Sequence, residues 1–277
     1  MSANVTHPRA SMSSTLTRRI GKRLAFVADD LRRPDVGAVV LAYHRVGGRT
    51  MSPVDLPTGV FERQMAHLRA SGTVISLDQL ISGEKTSGVV VTFDDGTIDF
   101  VEEALPVLER YEIPATLYLA TEFVDSGRPY PADGVPLTWS ALRTARDSGL
   151  VDIGAHTHTH RLLDRCSIED ATAEIDTCLA RIRDELGVLA RHFAYPKAVA
   201  PRGGSVEDLI RTRFASAAIA GTRANVAGAT DAWRLYRSPV QNADGWEGFM
   251  RKVRGGMRSE DDLRQVINLV RYLGRSS

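Results

Sequence analysis

Two adjacent aspartates stand at the end of the most apolar stretch of the chain. In "GVVVTFDDGTIDF", Gly88 to Phe100, the run Val89 to Phe93 leads directly into Asp94, Asp95 and Gly96. Two ionised carboxylates side by side repel, and beside a low-dielectric core the repulsion is costly. A divalent cation would resolve it, with one carboxylate ligating the ion and the other remaining beside it as a base. The same residues have a plainer use, since an aspartate after a strand can cap the following helix. Taken alone, the stretch leaves both readings open.

A second cluster decides between them. "IGAHTHTHRLL", Ile153 to Leu163, carries three of the seven histidines of the chain, again after an apolar run. Neutral imidazole is the commonest metal ligand. His156 and His160 are four apart, so one helical turn places them on one face, whereas His158 joins them only in an extended segment. Three histidines within five residues at a strand end are not explained by packing, and the pair of clusters predicts a metal site.

These two stretches resemble the first and second motifs of the polysaccharide deacetylase family, the carbohydrate esterases with a NodB-like domain. The resemblance runs over roughly 39–240 and includes "YHRV", "PVLERYEIPATLYLA", "LTW" and "FAYP". It implies a distorted (β/α) barrel and a metal-dependent hydrolase acting on acetylated sugars. By position it makes Asp94 the catalytic base and Asp95, His156 and His160 the metal ligands. His158 falls on a variable position, which favours the helical-turn reading. One carboxylate and two imidazoles suit zinc foremost, with cobalt, manganese, iron or nickel also compatible. The implied reaction is attack of an activated water on the acetyl carbonyl, with Asp94 taking the proton.

The resemblance thins toward the C-terminus. Where many members carry arginine and then tyrosine in the third motif, "FAYPKA" has Ala194 and Lys197. The last motif normally brings a histidine as general acid, but "RLYRSPV", Arg234 to Val240, has none, and no histidine follows His192. The acid is unassigned. His44, Tyr195 and Arg237 are the remaining candidates for substrate contact, with Arg237 alternatively orienting an aspartate. The leading activity is removal of acetyl from an N-acetylated sugar or glycan precursor. The alternatives are an O-acetyl sugar esterase, an HxH-type amidohydrolase, and a sugar-binding domain that has lost its chemistry.

The elements that must position these residues alternate regularly. "AVVLAYH", "TVIS", "VVVTF", "ATLYLA" and "LVDIGA" read as strands, followed by shorter candidates in "HFAYP", "FASAAIAG" and "YRSPV". Between them, helical spacing links Phe61, Met65 and Leu68, then Val101, Leu105 and Leu108, then 138–146, then Ile168 to Leu186 with Ser167 and Asp170 as a capping box and Gly187 at the end. Alternating strands and helices with continuous apolar strands predict a parallel sheet covered on both sides. Seven or eight such units fit an α/β barrel, and no linker divides the chain.

Composition agrees with one soluble domain. The chain has 277 residues, 43% hydrophobic and 25% charged, with a net charge of +1. No single-sign field points to nucleic acid. Cys166 and Cys178 are too far apart for a local bridge and read as free thiols. No run is long enough to span a membrane, and the first residues lack the apolar core of a secretory signal, so a cytoplasmic location is expected. Residues 1–36 read as an N-terminal extension and 37–277 as the catalytic domain. Within the extension, Leu16 to Arg33 forms a basic amphipathic pattern. It reads as a helix on the flank of the domain, with peripheral contact to an anionic membrane as the alternative.

Overall fold

The structure is a computed structural model that describes residues 36–261, apart from positions 132, 202, 256 and 260. The amphipathic segment Leu16 to Arg33 lies outside the described residues. Among those residues no helix is long and apolar enough to cross a membrane.

Seven strands form a closed parallel barrel: β1 (Ala38–Tyr43), β4 (Gly88–Phe93), β5 (Ala115–Leu119), β6 (Val151–Ala155), β7 (His192–Ala194), β8 (Ser216–Ala220) and β9 (Leu235–Pro239), with β9 returning to β1. β2 (Arg45–Val46) and β3 (Asp55–Leu56) form a separate small parallel pair. The helices are α1 (Thr58–Ser71), α2 (Leu77–Ile81), α3 (Leu105–Tyr111), α4 (Thr121–Ser126), α5 (Trp139–Asp147), α6 (Ile168–Leu186), α7 (Ser205–Arg213) and α8 (Gly245–Val253). The weak strand expected at Thr73–Ser76 does not join the barrel. Val74 makes one isolated bridge to Val89, and Ser76 instead caps α2 in a capping box with Gln79. Ser167 caps α6 by accepting from the Asp170 N–H, and Gly187 ends that helix in the left-handed region.

Period-two alternation sorts the strand side chains between two cores. Val39, Leu41 and Tyr43 of β1 and Val89, Val91 and Phe93 of β4 belong to the large cluster shared with the helices. Their alternates Val40 and Val90 join Tyr118, Ala194 and Ala218 in a smaller cluster within the barrel. That interior is unevenly filled. Small residues on β7 and β8 leave room for Tyr118 and for the guanidinium of Arg237, which lies 5.0 Å from the Tyr118 ring centre.

The seam between β6 and β7 is the thinnest in the barrel. Only Ala155 and Phe193 are in register there, whereas β5 and β6 share five such pairs. Gly154 sits at this seam because nothing larger fits. A Cβ at that position would lie 2.5 Å from the Tyr118 ring and 3.0 Å from the His192 carbonyl oxygen. Tyr118 is fully buried and cannot swing away. Gly154→Ala should therefore destabilise the fold by about 1–3 kcal/mol, the usual cost of overpacking. Urea unfolding should show a lower midpoint with an unchanged slope.

Candidate active site

The C-terminal ends of β1, β4, β6, β7 and β9 meet at one mouth of the barrel, the end at which α/β barrels collect their chemistry. Asp94 follows β4, and its backbone N–H donates to the Tyr43 carbonyl at 3.0 Å. Its carboxylate turns inward and is only 5% exposed. Arg237, on β9 and 3% exposed, grips it with both arms, at 2.5 Å to Oδ1 and 2.8 Å to Oδ2. The Arg237 fork also donates to Thr92 Oγ1 at 3.2 Å. Burial alone would raise the Asp94 carboxyl, but the charge and hydrogen bonds of Arg237, with His156 and His44 nearby, outweigh it and hold Asp94 far below the usual carboxylate range.

Asp95 leaves the strand in the left-handed region, φ 74°, so adjacent residues send their carboxylates in different directions. Its backbone carbonyl accepts from the Tyr130 hydroxyl at 2.6 Å. Its Oδ1 lies 3.8 Å from His156 Nε2 and 3.6 Å from His160 Nε2. The imidazoles do not converge through a helical turn, as the spacing suggests. The segment after β6 is a loop in which Thr157 and His160 both take positive φ, 63° and 62°. Each such residue costs about 1–3 kcal/mol and persists only where its surroundings hold it.

Those surroundings are visible. His156 Nδ1 bonds the Ala194 carbonyl at 2.7 Å, which ties the loop across to β7. The carbonyl can only accept, so Nδ1 carries the proton and Nε2 turns a lone pair toward Asp95. With Nδ1 occupied, Nε2 is the atom left to ligate, and with Asp95 Oδ1 it bounds a space that a cation would fill. Burial first, and then His156, lowers His160 to about 4, so His160 is a neutral donor near pH 7. The donor atoms of Asp95, His156 and His160 all lie within 4.8 Å of one another. This donor set and its tautomers fit one divalent ion.

The remaining sequence candidates separate. His158 bonds Thr121 Oγ1 through Nδ1 at 2.9 Å, toward α4, and stands outside the three-donor cluster. His44 Nε2 lies 3.8 Å from Asp94 Oδ2, and its buried Nδ1 has no partner. Tyr195 corrects its expectation of substrate contact. It is 1% exposed, its ring packs edge-on against Phe193 at 5.1 Å, and its N–H is spent on the Ala218 carbonyl. Lys197, the departure from the family pattern, is exposed at φ 53°, near enough for its charge to act on His160.

Two supporting residues escape the sequence reading. Glu174 of α6 accepts from the Thr159 N–H at 2.8 Å and the Thr159 hydroxyl at 2.6 Å, anchoring the histidine loop. A charged residue on the buried face formed by Ala171, Ile175 and Cys178 was its available signal. Tyr130 left no signal, because it comes from an irregular connection.

The sequence model of the family described as "Polysaccharide deacetylase" matches residues 82–210. The poly-beta-1,6-N-acetyl-D-glucosamine N-deacetylases of Escherichia coli strains K12 and O157:H7 are 28% identical over 145 residues, 45% of this chain and 21% of theirs. The matched stretch thus spans about a fifth of those relatives. The structure of IcaB from Ammonifex degensii superposes with a TM-score of 0.68 at 25% identity, over 80% of this chain and 98% of that one. The Streptococcus pyogenes deacetylase PplD, solved in complex with acetate, has a TM-score of 0.65 at 21% identity over 79% and 98%, a likeness of fold. The matched segment carries both the paired aspartates and the histidine loop, and the seven-stranded barrel presents them as one site, so over this segment the chain is similar to the polysaccharide deacetylase family.

Proposed function

We propose that this protein is a metal-dependent deacetylase of an N-acetylated glycan. The observation that carries the reading is the division of labour between neighbouring carboxylates: Asp95 Oδ1 faces the Nε2 atoms of two imidazoles, while Asp94 is clamped by Arg237. Asp95, His156 and His160 would hold the ion. Bound there, a divalent cation would supply Lewis acidity to a water and to an acetyl carbonyl. The E. coli relatives, named for poly-N-acetylglucosamine, make a β-1,6-linked polymer of that sugar the substrate to try first.

The chain's own residues supply the rest. Asp94 accepts the proton of the attacking water. A carboxylate held this low is a weak base, so the transfer depends on the water having been acidified. Arg237 keeps Asp94 ionised and fixes both of its oxygens. The backbone N–H of Lys197, three residues beyond the carbonyl that holds His156, is the donor we assign to the carbonyl oxygen as charge develops. His44 Nε2 stands 3.8 Å from Asp94 Oδ2, and we assign it the transfer of a proton to the departing amine. The HxH alternative is disfavoured by the turn of His158 toward Thr121.

The test is acetate release from N-acetylglucosamine oligomers by the zinc-loaded chain, with O-acetylated sugars in parallel. Release from the O-acetylated set alone would replace the N-deacetylase reading with that of an esterase. Asp94→Asn should retain zinc and fold normally while losing roughly 10²–10⁴-fold in kcat, with KM little changed. His160→Ala should lose zinc from this site, and His158→Ala should not, as read by bound-metal analysis.

Arg237 carries its own expectation. Arg237→Met leaves a buried carboxylate without its partner and should cost about 3–5 kcal/mol of stability in urea unfolding. It should also move the acid limb of the pH–rate profile upward. With the guanidinium gone, burial dominates and raises Asp94, so the base protonates and activity falls at a higher pH than in the wild type. Arg237→Lys, which keeps a charge but not the fork, should show a smaller shift in the same direction.

A further inference from the structure

A second histidine–carboxylate cluster lies at the opposite end of the barrel. His192 is the first residue of β7, Asp152 the second residue of β6, and Asp78 lies in α2, so three separate elements contribute. His192 Nε2 is 3.1 Å from Asp78 Oδ1 and 3.9 Å from Asp152 Oδ2, and the three donor atoms fall within 4.8 Å of one another. Ligands about 2.0–2.2 Å from a zinc-sized ion stand about 3–3.5 Å apart, so small side-chain adjustments would close the set.

More than acidity gathers here. The imidazole is fully buried, and its inner nitrogen is fixed by Ser216 Oγ on β8 at 2.8 Å. Ligating histidines are usually oriented this way, by a hydrogen bond at the nitrogen that does not ligate. Burial, the largest influence, lowers the His192 pKa and keeps the ring neutral, although Asp78 pulls the other way. A carboxylate can only accept, so the 3.1 Å bond to Asp78 is donated by Nε2–H while Nδ1 accepts from the Ser216 hydroxyl; an ion at this place would take over the position of that proton, between Nε2 and the two carboxylates. Arg191 pairs with Asp78 at 2.8 Å but not with Asp152. Partial burial and then the facing Asp78 carboxylate push Asp152 up to about 6, the mark of carboxylates brought together without enough positive charge between them.

The place gives the cluster a purpose. Asp152 and His192 flank the seam at which β6 and β7 share a single registered pair. The same two strands run on to His156 and to Ala194, whose carbonyl holds that histidine. Features at the N-terminal end of such barrels serve stability, not chemistry. We propose that Asp78, Asp152 and His192 form a second, structural divalent-metal site that staples β6 to β7 and α2. Two carboxylates and one imidazole suit Zn²⁺, Co²⁺ or Mn²⁺.

Zinc titration of the tag-free, metal-stripped full chain tests this independently of the catalytic reading. The wild type should bind two equivalents of Zn²⁺. His160→Ala should bind one, and its thermal midpoint should rise when ZnCl₂ is added. Asp152→Asn, an isosteric change at a half-exposed position, should also bind one and keep its acetate release. His160→Ala/Asp152→Asn should bind none and show no thermal response. The proposal is overturned if His160→Ala binds no zinc, or if its remaining equivalent survives Asp152→Asn. Failure of the catalytic site alone would look different: a single equivalent in the wild type, unaffected by His160→Ala and removed by Asp152→Asn.

Discussion

A carboxylate almost without access to water, gripped by a guanidinium that is itself buried, is the interaction on which the rest of this structure depends. Removing two charges from water is expensive, and their attraction offsets the cost only when geometry and hydrogen bonding are both good. Here the bond is bidentate, one arm is shared with Thr92, and the Tyr118 ring lies beneath the guanidinium. The composition of the barrel follows from that requirement. β7 and β8 bring alanines to the interior, and the space they leave is where the long side chain of Arg237 reaches across from β9 to the end of β4. The pair also separates two adjacent aspartates electrostatically, leaving Asp95 to face the histidines.

Preorganisation at the mouth comes from backbone as much as from side chains. Asp95, Thr157, His160, Lys197 and Ala198 all adopt positive φ, and none is glycine. Conformations of this kind survive only when neighbours over-determine them. Tyr130 and Ala120 hold the carbonyl of Asp95, Glu174 holds Thr159, and the Ala194 carbonyl holds the ring of His156. The result is a pair of imidazoles whose Nε2 atoms are aimed at Asp95 before any ligand arrives, which keeps reorganisation small when charge develops.

The barrel is asymmetric end to end. Its C-terminal mouth concentrates strain and lone pairs, whereas the N-terminal end ties α2 to β6 and β7 through Asp78, His192 and Asp152, beside the seam where backbone pairing is weakest. Both ends act on the same two strands. The position of His156 is therefore a property of the whole β6–β7 unit and not of its loop alone.

Much of this was legible in the sequence, for a local reason. A buried parallel strand is a continuous apolar run, so Val89–Phe93 and Ala115–Leu119 declare themselves, and a charge that interrupts such a run, as Asp94 does, has to be functional or paired. Three histidines in five residues are equally local, and so were the cap at Ser167 and the stop at Gly187. Tertiary structure decided what depends on partners distant in sequence. Spacing suggested a helical turn between His156 and His160, but the convergence is built from left-handed residues whose cost is met by Glu174 and Ala194, contacts no local pattern encodes. Tyr195 sat in the right motif yet faces the core, because side-chain direction follows the register of β7 against β8. Arg237 could be named as a candidate from sequence, but only closure of β9 onto β1, which pairs on its other edge with β4, brings it 143 residues back to Asp94. Residue types and short spacings are written in the chain; which carboxylate is clamped, and which is left facing the imidazoles, exists only once the barrel is closed.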